Sequence, residues 1–324
     1  MEFFRTDKVY DFMGKAKYFM TLSLILVLAS WALLFFKGLN FGIDFAGGTI
    51  VQVRYDKPVD LAKIRSALKK SEVFKNASVT LFGSDREIVI RIKSSSKNLK
   101  KDIGDEARAA LAGTGNFEVR RVDMVGPKVG SELREKGLMA MVIAILGILI
   151  YVSIRFEWRF ALASVLALVH DVSIALGAIS LFSIPVNLDI LAAILTILGY
   201  SLNDTIIVFD RIREGIVESV KLRKLDEVIN ESITKTLSRT TLTSLTTFFV
   251  VLTLYLFGGE IIKGFSFTLL IGIIVGTYSS IFIASPLLAI LGFDLEEYRK
   301  KLAEKKKRQA EKERMRAMYE QGMV

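Results

Sequence analysis

The sequence predicts a membrane-embedded, all-α bundle of six transmembrane helices that carries one exported α+β domain. Three observations predict it. Of 324 residues, 52% are hydrophobic and the mean hydropathy is +0.42, more apolar than an ordinary soluble enzyme. Those apolar residues are gathered into six long blocks. Between the first and second blocks lies about a hundred residues of soluble-type patterning. Disorder is excluded by the same composition. Cys is absent, which removes disulfides, thiol catalysis and Cys-ligated zinc, and a single His makes a histidine metal cluster implausible.

The six blocks, 18–36, 138–154, 160–182, 188–209, 240–257 and 265–291, are each long enough, or nearly so, to cross about 30 Å of hydrocarbon. The second is short at 17 residues, and the last is long enough that it must tilt or protrude. Lys and Arg set the expected orientation. Segments 1–17, 155–159, 210–239 and 292–324 hold 4, 2, 7 and 10 of them, whereas 183–187 and 258–264 hold 0 and 1. Both termini are therefore expected in the cytoplasm, and the long segment 37–137 outside it. The first block is longer than a usual signal-peptide core and no A-x-A site follows it, so an uncleaved anchor is expected. The division reads as residues 1–36, N-terminus and first span; 37–137, exported domain; 138–291, remaining spans, with an amphipathic cytoplasmic loop at 210–239; and 292–324, a basic tail. The net charge of +10 needs no nucleic-acid partner: RKKLAEKKKR (299–308) reads as a solvated helix near anionic headgroups, or as a cytoplasmic contact.

In the exported domain, 42–55 opens on a glycine-rich turn and continues as a strand through Thr49, Val51 and Val53. Asp60 is a helix cap ahead of Leu61, Ile64 and Leu68. Two alternating segments follow, with Val79, Leu81, Ile88, Ile90 and Ile92 on one side and Gly83, Ser84 and Asp85 in the turn. Asn98 starts a second helix with Leu99, Ile103 and Leu111 inward, and 116–125 is a closing strand. The order β-α-β-β-α-β is that of a ferredoxin-like domain. With no Cys, no His and no clustered carboxylates it is an unpromising catalyst. Docking to another exported domain or a passing chain, and a passive cap, both fit it.

Ionisable groups inside spans cost about 2.5–3.5 kcal/mol each on insertion scales, so each is a functional candidate. His170 and Asp171 fall at the middle of the third span, as a proton-transfer pair or as a neutral hydrogen-bonded one. In the fourth, Asp189, Thr196 and Asn203 recur every seven residues with Tyr200 beside them. Asp204 adjoins that stripe, where a carboxyl group could hold a proton near neutrality or serve as interhelical glue. The fifth span begins SRTTLTSLTT, with Arg239, Thr243 and Thr246 on one face and Thr240, Ser244 and Thr247 on the next. Arg239 is either an interface anchor or the counter-charge of Asp204, at similar depth. Gly272 and Gly276 form a GxxxG contact face in the last span. Ile212, Ile216, Val220, Leu225, Val228 and Ile229 mark one or two amphipathic helices lying on the cytoplasmic face.

FGIDFAGGT (41–49), VGPKVG (125–130), FEWR (156–159), HD (170–171), GYSLNDTIIVFDRIRE (199–214) and LSRTTLTSLTT (237–247) together resemble the SecF family. That family is the smaller part of the bacterial SecD–SecF export complex, in the resistance-nodulation-division superfamily, and the resemblance spans nearly the whole chain. It implies a non-enzymatic accessory of the Sec translocase in the bacterial inner membrane, driven by the proton motive force. SecD would be its obligate second half, the SecYEG translocon and preproteins its other partners, and the proton its coupling ion, with no cofactor or metal. The family's proton-pathway carboxylate falls on Asp204 and its arginine on Arg239; Asn203, Thr243, His170 and Asp171 are the lesser candidates. Three other readings compete. An intramembrane aspartyl protease would use Asp171 and Asp204 as facing acids, but HD and LND are the wrong contexts. A small-molecule exporter would need larger exported domains. A passive scaffold would use every polar group as glue.

Overall fold

A computed structural model describes residues 8–92, 102–218 and 224–320. Six of the described helical segments are long and apolar enough to span a membrane. They begin with α1 (Ala16–Phe36), which is apolar all round and turns Ser23 and Ser30, seven residues apart, into the protein.

The chain then enters the domain between the first two spans through a short helix, α2 (Ile43–Ala46), where a turn was expected. Strand β1 (Gly48–Tyr55), helix α3 (Leu61–Leu68), hairpin β2 (Ser78–Phe82) and β3 (Ser84–Ile92), helix α4 (Ile103–Ala110) and strand β4 (Phe117–Val125) follow. The strands lie in the order β2-β3-β1-β4, and every neighbouring pair is antiparallel. Val51, Val53 and Tyr55 of β1 and Ile88, Ile90 and Ile92 of β3 pack against Ile64 and Leu68 of α3 and Ile103, Ala107 and Leu111 around α4. Asp60 caps α3 as expected, accepting from the amides of Ala62 (2.8 Å) and Lys63 (3.4 Å). The cap of α4 is Asp102; Asn98 and Leu99, where that helix was expected to begin, lie outside the described residues. Leu81 was expected inside and is 47% exposed, because it sits near the end of edge strand β2, beside the irregularity at Phe82.

Helix α5 (Pro127–Arg155) has 29 residues, so the short second block is only the apolar part of a longer rod. Its extra turns dock on α2, with Gly130 against the backbone of Phe45 and Gly47. Helices α6 (Trp158–Leu181), α7 (Leu188–Glu218) and α8 (Leu225–Phe257) come next. At 31 and 33 residues, α7 and α8 run about 46 and 50 Å, well past a hydrocarbon core. The expected surface helices of 210–239 are thus continuations of these two spans. Ile212 and Ile216 pack in one buried cluster with Val228, Ile229 and Ile233, so the apolar stripe closes a helical hairpin. Val220 lies outside the described residues.

The last span is interrupted. Helix α9 (Glu260–Ser279) passes into a π-helical turn, Ser280–Ala284, and then α10 (Ser285–Ile290). Pro286 supplies the cause: it has no N–H to give the preceding turn, and its ring crowds the carbonyl four residues back. Ser285 Oγ instead donates to the Ser280 carbonyl at 2.9 Å. A helix, α11 (Leu295–Glu320), carries the basic tail, and the side chains described from Lys307 to Glu313 are exposed.

Candidate functional site in the membrane core

Two buried carboxyl groups organise the centre of the bundle, each on its own set of hydroxyls. Helix α9 approaches α7 closely because Gly272 lies on Ile197 and Gly276 on Ser201; a methyl group at 272 would sit 2.2 Å from Ile197 Cγ1. That contact is the GxxxG face read from the sequence. It brings the hydroxyls of α9 beside the acids of α6 and α7.

Asp204 on α7 is 1% exposed. Ser244 Oγ of α8 donates to its Oδ2 at 3.2 Å, and Thr277 Oγ1 of α9 lies 2.7 Å from Ser244 Oγ. Thr240, one turn before Ser244, is also buried, and its hydroxyl has no hydrogen-bond partner among the described residues. Asp204 therefore ends a line of hydroxyls that crosses three helices.

Asp171 on α6 is fully buried. His170 Nδ1 lies 2.8 Å from its Oδ1, while Ser201 Oγ of α7 and Ser279 Oγ of α9 both donate to its Oδ2, the latter at 2.8 Å. The His170 ring stacks on Tyr278, with centroids 6.2 Å apart. Tyr278 in turn donates from its phenol to the Phe19 carbonyl (2.7 Å) and meets Ser23 Oγ (2.9 Å). This network ties α6 to α7, α9 and α1.

Among the described residues, no ion pair joins Arg239 to Asp204, and Arg239 is exposed. The reason is angular. Arg239 and Ser244 are five residues apart on α8, about 140° around the axis, so Ser244 faces α7 and Arg239 faces outward. Thr243 shares the outward side and donates back to the carbonyls of Arg239 (3.0 Å) or Thr240 (2.9 Å). Asn203 is likewise exposed on α7, as is Thr196. Asp189 is half-buried in the first turn of α7, away from both acids. Among the described residues the two carboxyl groups have different partners: Asp171 meets His170, Ser201 and Ser279, and Asp204 meets Ser244.

Sequence reasoning missed Ser201, Thr277 and Ser279 as partners. Their one sequence signal is spacing: Ser201 lies three residues before Asp204, and Thr277 directly follows the GxxxG pair. The sequence motifs outside the core also meet. Phe156 lies between the guanidinium groups of Arg155 and Arg213, 5.2 and 5.4 Å from the ring centroid, and Asp210 pairs with both arginines. Around α2, Asp44 Oδ2 accepts from the Leu188 amide at 3.0 Å, so the entrance to the four-stranded domain caps the start of α7. Gly42 N and Asn40 O bond the two sides of Val186 at 2.9 and 2.8 Å.

The family model "Protein export membrane protein SecD/SecF, C-terminal" matches residues 106–294, and "SecD/SecF GG Motif" matches 32–59, the stretch holding α2. The fold and the matches define a multi-pass membrane protein of the SecD/SecF protein-export class. The protein translocase subunit SecF of Helicobacter pylori is 48% identical over 324 residues, covering 100% of both chains. The SecF of Calditerrivibrio nitroreducens is 49% identical over 295 residues, 90% of this chain and 97% of that one. The chain belongs to the SecF family of protein translocase subunits. Its fold is similar to the crystal structure of SecDF, a translocon-associated membrane protein from Thermus thermophilus, with a TM-score of 0.79 and 37% identity over 88% of this chain. A SecDF structure in a super-membrane-facing form matches with a TM-score of 0.66 and 36% identity. The chain spans 39% and 40% of the length of those two SecDF chains.

Proposed function

We propose that this chain is one half of a proton-driven accessory machine that, with SecD, assists preprotein export through the SecYEG channel. The supporting observation is the setting of Asp204: a sealed carboxyl group with one hydroxyl partner among the described residues, at 3.2 Å, at the end of a hydroxyl line through Ser244 and Thr277. A carboxyl group so placed changes its hydrogen-bonding when it takes or loses a proton, and the helices around it must answer. One proton crossing 100 mV supplies about 2.3 kcal/mol, enough to shift a two-state equilibrium roughly fiftyfold.

Exposed polar and small residues in the spans fit the need for a second half. Asn203, Thr196 and Gly199 on α7 and Arg239, Thr243 and Thr246 on α8 are exposed. Lipid is a poor neighbour for them, and SecD is the partner that the SecDF chains, more than twice as long, suggest. Arg239 then acts from the outward face, where SecD would complete the proton route with Asn203 and Thr243. The strand order and the β-α-β-β-α-β sequence support a ferredoxin-like assignment for the exported domain. Its attachment to α5 and α7 gives helix motion a route to that domain. The charge pattern supports cytoplasmic termini in a bacterial inner membrane.

Asp204→Asn in the assembled complex tests this. Assembly is expected to persist and proton-dependent export to fall to the level seen with an uncoupler. Wild-type export by that variant under a proton gradient refutes the carrier role and leaves the scaffold reading.

A further inference from the structure

Asp171 is the second acid of the core, and its surroundings differ in kind from those of Asp204. Both of its oxygens are in use: Oδ1 by His170 Nδ1, and Oδ2 by the hydroxyls of Ser201 and Ser279. Three hydrogen-bonding groups converge on this one carboxyl group. His170 is held in place in turn. Its ring stacks on Tyr278, its Nδ1 lies 2.8 Å from Asp171 Oδ1, and its Nε2 is buried without a partner among the described residues, 7% of the side chain being exposed. That bond fixes the tautomer.

The placement of the donors matters more than their number. Ser201 stands three residues before Asp204 on α7. Ser279 stands two residues after Thr277 on α9, and Thr277 reaches Ser244, the partner of Asp204. Asp171 thus grips α7 and α9, two of the three helices around Asp204, in each case within a turn of the group concerned. Ser279 is also the last α-helical residue before the π-turn at Ser280. The grip ends where the helix changes pitch. Titratable groups facing this region are His170 and Asp171 from α6, Asp204 and Tyr200 from α7 and Tyr278 from α9; α8 contributes the hydroxyls of Thr240 and Ser244, and α1 that of Ser23.

We propose that Asp171 is a positioning residue: a fixed anchor that, through Ser201 and Ser279, locks α7 to α9 and so sets the pocket in which Asp204 exchanges its proton. This rests on the reading of Asp204 as the proton carrier. Asp171 does not itself cycle. The two acids divide the work, one fully bonded and static, the other singly bonded and free to exchange.

The test uses the complete complex in membranes, a hydrophobic carbodiimide that labels protonated carboxyl groups, and mass-spectrometric mapping over a pH series. In the wild type, Asp204 takes label with a defined midpoint and Asp171 takes none. Ser279→Ala, and Asp171→Asn where it assembles, move the Asp204 midpoint by about half a pH unit or more, roughly threefold in proton affinity. Ser280→Ala leaves it unmoved: that substitution removes a neighbouring buried hydroxyl that bonds the Thr277 carbonyl instead of Asp171. Label on Asp171 over the same pH range as Asp204 overturns the anchor, as does a Ser279→Ala midpoint equal to that of the wild type. Absence of label on wild-type Asp204 at every pH defeats the carrier reading itself, and the positioning role with it. That result is separate from an Asp204 that labels normally yet ignores Ser279.

Discussion

Replacing Gly47 with alanine isolates the joint between the four-stranded sheet and the membrane helices. Gly47 has φ +74° and ψ 161°, a conformation open in practice to glycine alone, and a side chain forced into it costs about 1–3 kcal/mol. A Cβ there would lie 2.8 Å from Pro127 Cα, 3.0 Å from Pro127 N and 3.4 Å from the Gly126 carbonyl carbon. These are all backbone atoms, so relief requires the first turn of α5 to move, at about 1–3 kcal/mol more. The total is about 2–6 kcal/mol. Gly83→Ala is the comparator, because Gly83 has φ +71° with nothing within 4 Å, and only the conformational cost of about 1 kcal/mol applies. Gly126→Ala, at φ −67° and also in open space, is expected within about 0.5 kcal/mol of wild type. The measurement is unfolding of the four-stranded sheet in the detergent-purified chain, followed by limited proteolysis across a urea series. If Gly47→Ala unfolds at the same urea concentration as Gly83→Ala, the close approach of Gly47 to the start of α5 contributes nothing and the joint is not a tight one.

Four further outcomes are expected. Gly272→Ala should push α9 off Ile197 and lower the stability of the purified chain by about 1–3 kcal/mol, read as a fall in its thermal midpoint. Asn230→Ala removes the acceptor for the amides of Phe12 and Met13, both at 2.9 Å, and the donor to Asp11 at 3.0 Å; hydrogen exchange of those two amides should quicken, reporting release of the N-terminal strap from α8. Asp60→Ala should cost about 1 kcal/mol through loss of the α3 cap, measurable in the same urea series. The exposed Asp294 carboxyl accepts from the Glu297 and Glu296 amides, in that order of effect, and is held below the usual carboxylate range. A depressed folded value means its cap on α11 is fully present above the unfolded value of about 3.9 and is lost as pH falls through the folded one. Intrinsic-rate-corrected exchange at Glu296 and Glu297 should rise over that window, and Asp294→Asn, which keeps the cap without a titrating group, should flatten the dependence.

Legibility in the sequence followed the range of the interaction. Hydrophobic block length reported the spans, period-two alternation the strands, and Asp60 ahead of an apolar face the start of α3, because each depends only on neighbours along the chain. The ends of the spans were less legible. Helices α5, α7 and α8 run on through polar residues, since their outer turns are held by packing on α2 and on each other, which no hydropathy window registers. The core acids were visible as anomalies: a carboxyl group among isoleucines stands out by cost alone. Apart from His170 beside Asp171, their partners were not. Serine and threonine are inexpensive in any helix, and nothing local separates Ser201, Ser244 and Ser279 from the many hydroxyls that bond only their own backbone.

The sequence by itself determined that this protein spans a membrane six times, carries a four-stranded domain after the first span, and hides acids at two depths of its helices. Hydrophobicity and short-range periodicity are properties of the chain, and so is the cost of a buried charge. Only the tertiary structure decided which acid is fully bonded and which has a single partner, that Arg239 turns away from Asp204, and that the last span breaks at a π-turn beside Asp171. Those outcomes depend on the rotation of each helix about its axis and on glycine-mediated approach between α7 and α9, and both are fixed by contacts between residues distant in the chain.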